Sequence, residues 1–159
     1  MSIEQKFILT GDLNFMGLGD AKHVFKRIRS ELRAADAVIS NLECCFFTDE
    51  SKADNQSCTG HFYERSGQRE GFYAHPAAVK AIKAANITMV GNANNTNFGD
   101  EAIRSTIAVL NDQQIAFSGV GTNWEEACQP ALKTINGLRV GLIQRTSVYW
   151  PSNHEASAS

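Results

Sequence analysis

The chain has 159 residues, 43% of them hydrophobic and 20% charged, with a formal net charge of −2. That length suits one domain with a real core, and that charge excludes the broad basic surface that nucleic-acid binding calls for. Residues 1–6 hold no apolar signal core and no apolar run approaches the ~18–20 residues of a membrane span, so a cytoplasmic protein without a span is expected.

In chain order, Lys6-Phe7-Ile8-Leu9-Thr10 reads as a buried first strand ended by Gly11-Asp12. A loop with Asn14 leads to a helix predicted over 21–35, where Phe25, Ile28 and Leu32 form an apolar stripe. The basic residues gather on this helix, between Lys22 and Arg33, and read as a solvated face. Asp36 to Ser40 is a second strand with Asn41-Leu42-Glu43 at its end. Residues 44–74 lack periodicity and read as a long irregular segment, partly packed through its aromatics. Pro76 marks a helix start, with that helix running to about Ala85.

Ile87 to Val90 is a third strand. The loop behind it, Gly91 to Gly99, packs four asparagines between two glycines. The period then changes to that of a helix over 100–111, with Ile103, Ile107 and Leu110 on one face. Ile115 to Ser118 is a fourth strand, and Thr122-Asn123-Trp124-Glu125 has the pattern of a capping box. Two strands, 131–135 and 138–143, flank Asn136-Gly137, a strong hairpin signal. No element is predicted beyond Arg145. Strands alternating with helices, then a hairpin, give an α/β fold: a largely parallel sheet, flanking helices and a C-terminal β-hairpin.

Ligands of α/β proteins sit at the carboxyl ends of parallel strands. If the first three strands are neighbours, Asp12, Asn14, Asn41, Glu43, Asn94 and Asn95 converge on one sheet edge. Taken singly, each has an ordinary role as a turn, cap or exposed loop residue. Together they supply oxygen donors suited to a divalent cation. Gly119-Val120-Gly121 lacks the third glycine of a dinucleotide loop, since position 124 is Trp, and fits a tight turn before a capped helix. His23, His61, His75 and His154 each fit surface or turn positions. Cys44, Cys45, Cys58 and Cys128 have no C-x-x-C spacing and are expected to be reduced thiols, neither zinc ligands nor nucleophiles.

Gly11-Asp12, Asn41-Leu42-Glu43, Phe72-Tyr73-Ala74-His75-Pro76, Ala93-Asn94-Asn95 with Phe98-Gly99, Thr106 to Leu110, and Gly119-Val120-Gly121 with Glu126-Ala127 occur in one particular order. That order resembles the CapA-type capsule or poly-γ-glutamate synthesis proteins of the calcineurin-like metallophosphoesterase superfamily. The resemblance implies the N-terminal portion of a metallo-dependent phosphatase-like fold. Residues 1–150 would form a shortened CapA-like domain and 151–159 an unstructured tail. It further implies a divalent-metal site on Asp12, Glu43 and Asn95, with Asn14, Asn41 and Asn94 supporting it or touching a phosphate-type substrate. The family's A-N-N-H histidine is Thr96 here, and threonine cannot serve as a general acid near neutral pH. The family's C-terminal histidine motifs are also missing, so weak or no catalysis is expected. The alternative is a non-catalytic module that holds a polar ligand with the same loops. A shortened sheet would leave an edge open to self-association.

Overall fold

The computed structural model describes residues 4–48, 60–64 and 69–147. The expected tail at 151–159, together with Cys58 and His154, lies outside the described residues. Four strands make the central sheet: β1 (Phe7–Leu13), β2 (Ala37–Leu42), β6 (Ile87–Gly91) and β7 (Ala116–Ser118), in the order β1-β2-β6-β7. All three pairings are parallel, so their carboxyl ends share one edge. The first three predicted strands are therefore neighbours, as the convergence of donors requires.

The sheet is covered on both faces because its central strands are apolar on both. From β2, Val38 and Leu42 face one core with Phe25, Leu32, Ile82 and Leu110. Ala37 and Ile39 face the other, with Met89, Ala131 and Ile135. Each large side chain fully buried in the main core, such as Phe15, Ile82 or Leu110, contributes ~1.5–3 kcal/mol. On the second face lies the predicted hairpin, β8 (Ala131–Ile135) against β9 (Leu138–Leu142). Asn136 and Gly137 both have positive φ, 47° and 85°, the primed turn that matches strand twist. The Asn136 amide reaches Asp36 at 2.6 Å, and the Asn136 carbonyl accepts from Gln5 at 3.1 Å. The turn is thus pinned to the chain ahead of β1 and β2.

Four expectations need correction. β1 is not a buried strand: it is an edge strand with Leu9 75% exposed, and it continues past Gly11 to Leu13. The helix predicted over 21–35 is a single 3-10 turn at Ala21–His23, a series of turns, and the short helix α1 (Arg29–Arg33). Ahead of α1, the like charges of Lys22 with Lys26, and Lys26 with Arg29, are spaced four and three apart and would each cost a continuous helix ~0.2–0.5 kcal/mol. Successive i→i+3 bonds take its place, and Ile28 of the expected stripe is half exposed. The segment 44–74 is not irregular throughout. It contains a second sheet, β3 (Cys45–Phe46), β5 (Arg69–Ala74) and β4 (Gly60–Glu64) in that order. Finally, the cap of α4 (Trp124–Cys128) is displaced by one residue: Asn123 accepts from the Glu126 amide at 2.9 Å, and Glu126 accepts from the Thr122 amide at 2.8 Å.

Two further helices complete the layer. α2 (Val79–Ala84) follows a 3-10 turn that begins at Pro76, and α3 (Asp100–Asp112) follows the asparagine loop. Asp100 opens the first turn of α3 and pairs with Arg104 at 2.8 Å, while Gly99 is the cap.

Candidate functional site

The site is built where β1, β2 and β6 end. β1 advances three residues from Leu9 to Asp12 while β2 advances two, from Ile39 to Asn41. This bulge places Asp12 directly beside Asn41, since an extra residue re-aims the side chains beyond it. The Asn41 amide donates to Asp12 Oδ1 at 2.7 Å. On its other side Asn41 Oδ1 accepts from Gln144 Nε2 at 2.7 Å, and Gln144 Oε1 accepts the Ala93 amide at 3.1 Å. Three strand ends and the segment after β9 are therefore joined by one chain of bonds. A Cβ at position 91 would lie 2.0 Å from Gln144 Oε1, so only glycine leaves room for this glutamine.

Glu43 stands one residue past β2, its amide donating to Leu13 O at 2.9 Å. Its carboxyl is held above its ordinary value by partial burial and then by the negative charge of Asp12; a hydrogen bond from Asn14 opposes both. Asn14 also accepts the Met16 amide at 2.9 Å, an Asx turn. Asp12, Asn14, Asn41 and Glu43 are thus assembled.

The asparagine loop divides into support and surface. Asn92 and Asn94 both donate to the Leu42 carbonyl, at 2.7 and 2.6 Å, tying the loop to the end of β2. Asn97 donates to the Asn92 carbonyl and accepts from the Cys45 thiol at 3.6 Å. Gly119 lets the loop approach β7, because a Cβ there would lie 2.6 Å from that of Ala93. Asn95 is half-buried and its amide has no hydrogen-bond partner among the described residues. Thr96 is buried and its hydroxyl is unpartnered, as is the buried Oδ1 of Asn92. Sequence reasoning missed Gln144 and Asn92 as organising residues. Asn92 lay within the marked loop, whereas nothing local distinguishes Gln144.

Among the described residues, His75 and the cysteines supply no donor beside Asp12 and Glu43, and Cys45 only supports the loop through Asn97. His75 accepts the Ala77 amide at 3.0 Å as the cap of the turn before α2, the turn role expected for it. Burial pushes the Cys44 thiol up to about 12 and the Cys45 thiol to about 11, so neither forms a thiolate near neutral pH. Among the described residues no group of three or more His, Cys, Asp and Glu side chains could hold a metal ion. A cation here would therefore rely on asparagine oxygens beside the two carboxylates. Such a set suits a hard, oxygen-preferring ion such as Mg²⁺ or Mn²⁺ better than Zn²⁺.

Fold and site together define a parallel α/β domain with a polar, oxygen-rich site at the carboxyl edge of its sheet. Residues 5–159 match the model of a family described as bacterial capsule synthesis protein PGA_cap, and the chain belongs to that family. A curated relative, the capsule biosynthesis protein CapA of Bacillus anthracis, is 24% identical over 129 residues, which is 80% of this chain and 29% of that protein. The match thus spans less than a third of that relative's length. Among the described residues no helix is long and apolar enough to cross a membrane.

Proposed function

We propose that this chain serves capsule synthesis as a metal-dependent phosphoesterase-like domain with weak or no turnover of its own. Asp12, Glu43 and Asn95 would hold the divalent cation. The observation that carries this reading is the pair of carboxylates at one sheet edge, Glu43 feeling the charge of Asp12, with the asparagine loop tied down beside them. A bound cation would polarise a phosphoryl oxygen and acidify a water. The chain's own residues do the positioning. Asn41 holds one oxygen of Asp12 and leaves the other free of that bond. Asn14 orients Glu43. Asn92 and Asn94 fix the backbone that presents Asn95. At position 96, where the resemblance leads one to expect a histidine, a threonine hydroxyl can donate a hydrogen bond but cannot pass a proton to a leaving group.

The test is calorimetric titration with Mn²⁺, run alongside hydrolysis of a generic phosphomonoester. Binding heat that is lost in Asp12→Ala and in Asn95→Ala, with negligible turnover, is the expected result. Robust turnover abolished by Asp12→Ala would overturn the claim of weak catalysis. The second reading, a non-catalytic module for a polar ligand, is favoured by the unpartnered Thr96 hydroxyl and the Asn95 amide beside it, which has no partner among the described residues. Absence of any heat with Mn²⁺ or Zn²⁺ would support it.

A further inference from the structure

Gln144, just after β9, reaches the strand-end site with a side-chain amide whose shape does not decide which way it faces. The oxygen and nitrogen ends of such an amide are nearly alike in size, so partners fix its direction. The Ala93 backbone amide can only donate, so Gln144 turns Oε1 to it, at 3.1 Å. Nε2 must then face Asn41, where it donates to Oδ1 at 2.7 Å. Asn41 in turn presents Nδ2 to Asp12 and donates to Oδ1 at 2.7 Å. Every donor in this chain of bonds points toward Asp12. Reversing either amide would set donor against donor and acceptor against acceptor.

The backbone of Gln144 is anchored as well. Its amide donates to Ser118 Oγ at 3.4 Å, and that hydroxyl donates to the Gln129 carbonyl at 3.0 Å. Ser118 is buried at the end of β7, so Gln144 is tied to the sheet itself. Its carbonyl accepts from Arg145 Nη1 at 2.7 Å, while Nη2 of the same guanidinium donates to the Cys128 carbonyl at 2.6 Å.

The Asp12 carboxylate alone would turn the Asn41 amide this way while no positive charge is near. Positive charge held at Asp12 reverses that preference, because it attracts an amide oxygen and repels an amide N–H. The bond from Gln144 Nε2 then becomes decisive: it occupies the Asn41 oxygen and keeps it turned away from Asp12. Rotation of Asn41 would break both of its hydrogen bonds and press Nδ2 against Nε2.

We infer that Gln144 is a specificity-determining residue, an assignment that rests on the cation site proposed above. By holding the Asn41 oxygen away from Asp12, it keeps the site short of protein oxygens and favours a small divalent cation over a larger one. Mg²⁺ retains several waters and needs few protein oxygens, whereas Ca²⁺ takes about 6–8 oxygen ligands and gains from each one the protein supplies.

The test is displacement of Mn²⁺ from the full chain by Mg²⁺ and by Ca²⁺, with free Mn²⁺ read by electron paramagnetic resonance. Gln144→Met keeps the length of the side chain and removes its donor and its acceptor. It should shift the ratio of Ca²⁺ to Mg²⁺ affinity toward Ca²⁺ by about fivefold or more, one oxygen ligand being gained for the larger ion. Asn41→Leu has no oxygen to offer, so it should weaken both ions alike and leave the ratio within about twofold of the wild type. In the Asn41→Leu background, Gln144→Met should no longer move the ratio, since its effect runs through Asn41.

A purely structural role would lower both affinities together, and an unmoved ratio in Gln144→Met would overturn the proposal. A shift toward Mg²⁺ in Asn41→Leu alone would overturn it too, because Asn41 would then already be a ligand in the wild type. So would a Gln144→Met effect that persists without Asn41. A wild-type chain that binds no Mn²⁺ would remove the cation site and this role with it, whereas Mn²⁺ binding with an unmoved ratio removes only the role of Gln144. Unchanged circular dichroism confirms that the variants are folded.

Discussion

Asn41 has both ends of its amide in use, donating to Asp12 and accepting from Gln144, so it cannot turn without breaking two bonds. Gly91→Ala would displace Gln144 and break the bonds it makes to Asn41 and Ala93. At ~0.5–1.5 kcal/mol for each neutral bond, the loss is ~1–3 kcal/mol, readable as a lower urea midpoint with unchanged slope. An unchanged midpoint would show that the glutamine is not a strut. Glu43 gives a pH signature. The fold raises its carboxyl above the unfolded value of 4.5, so the ionised form costs stability above the folded value, and the cost is gone once pH falls below 4.5. Without metal, Glu43→Gln should therefore raise Tm near about pH 7 and have no effect near about pH 3. With saturating Mn²⁺ the order at about pH 7 should reverse, since a cation bound at ~100 times its Kd stabilises only the chain that binds it, by ~2.7 kcal/mol. No reversal would count against Glu43 as a ligand. These positions were legible because they follow apolar runs in sequence. Gln144 was not, because its role is fixed by a glycine 53 positions away in the chain, a contact that only the folded sheet creates.

Among the elements, the hairpin was legible and the first helix was not, for opposite reasons. Asn136-Gly137 dictates a primed turn through backbone sterics alone, and the register from Ile135 with Leu138 follows. The stretch 21–35 has a helical stripe, but only Phe25 and Leu32 of it are buried while Ile28 faces solvent, and i→i+3 turns replace the helix up to Ile28. The second sheet was missed because β3 is two residues long and takes its partners from β5, far along the chain. What holds β3 in place is Thr106 of α3: its hydroxyl accepts the Phe46 amide at 2.8 Å and donates to the Ala102 carbonyl at 2.7 Å. Thr106→Val keeps the shape and leaves the buried Phe46 amide unmet, which should cost ~1–3 kcal/mol. Hydrogen exchange should then speed at Phe46 while the β8–β9 amides are unaffected. Uniform acceleration would mean that α3 supports the whole sheet and not β3 in particular. Gly121 also finds a packing reason: a Cβ there would lie 2.3 Å from the Ala127 amide, so the glycine seats α4.

For the whole molecule, the four-stranded order puts β2 and β6 in the middle and β1 at an edge. The sequence suggested a parallel α/β sheet, but an apolar run looks the same at an edge as at the centre. Position in the sheet depends on which strands are recruited later. As an edge strand with Leu9 75% exposed, β1 combines unpaired backbone groups with an apolar side chain, the combination that favours pairing with another chain. The outer face of the hairpin adds a separate apolar surface at Leu132, 59% exposed. If the edge drives association, sedimentation velocity should show concentration-dependent dimers that Leu9→Lys converts to monomers, because an edge lysine charges the strand without touching its bonds to β2. Leu132→Lys should leave those dimers intact. The opposite pattern would move the contact to the hairpin, where burying one leucine side chain contributes ~1.5–3 kcal/mol per copy without any new strand pairing. A chain that stays monomeric at every concentration would remove both contacts, and β1 would then be kept solitary by the bulge at its carboxyl end, which twists an edge away from a flat partner.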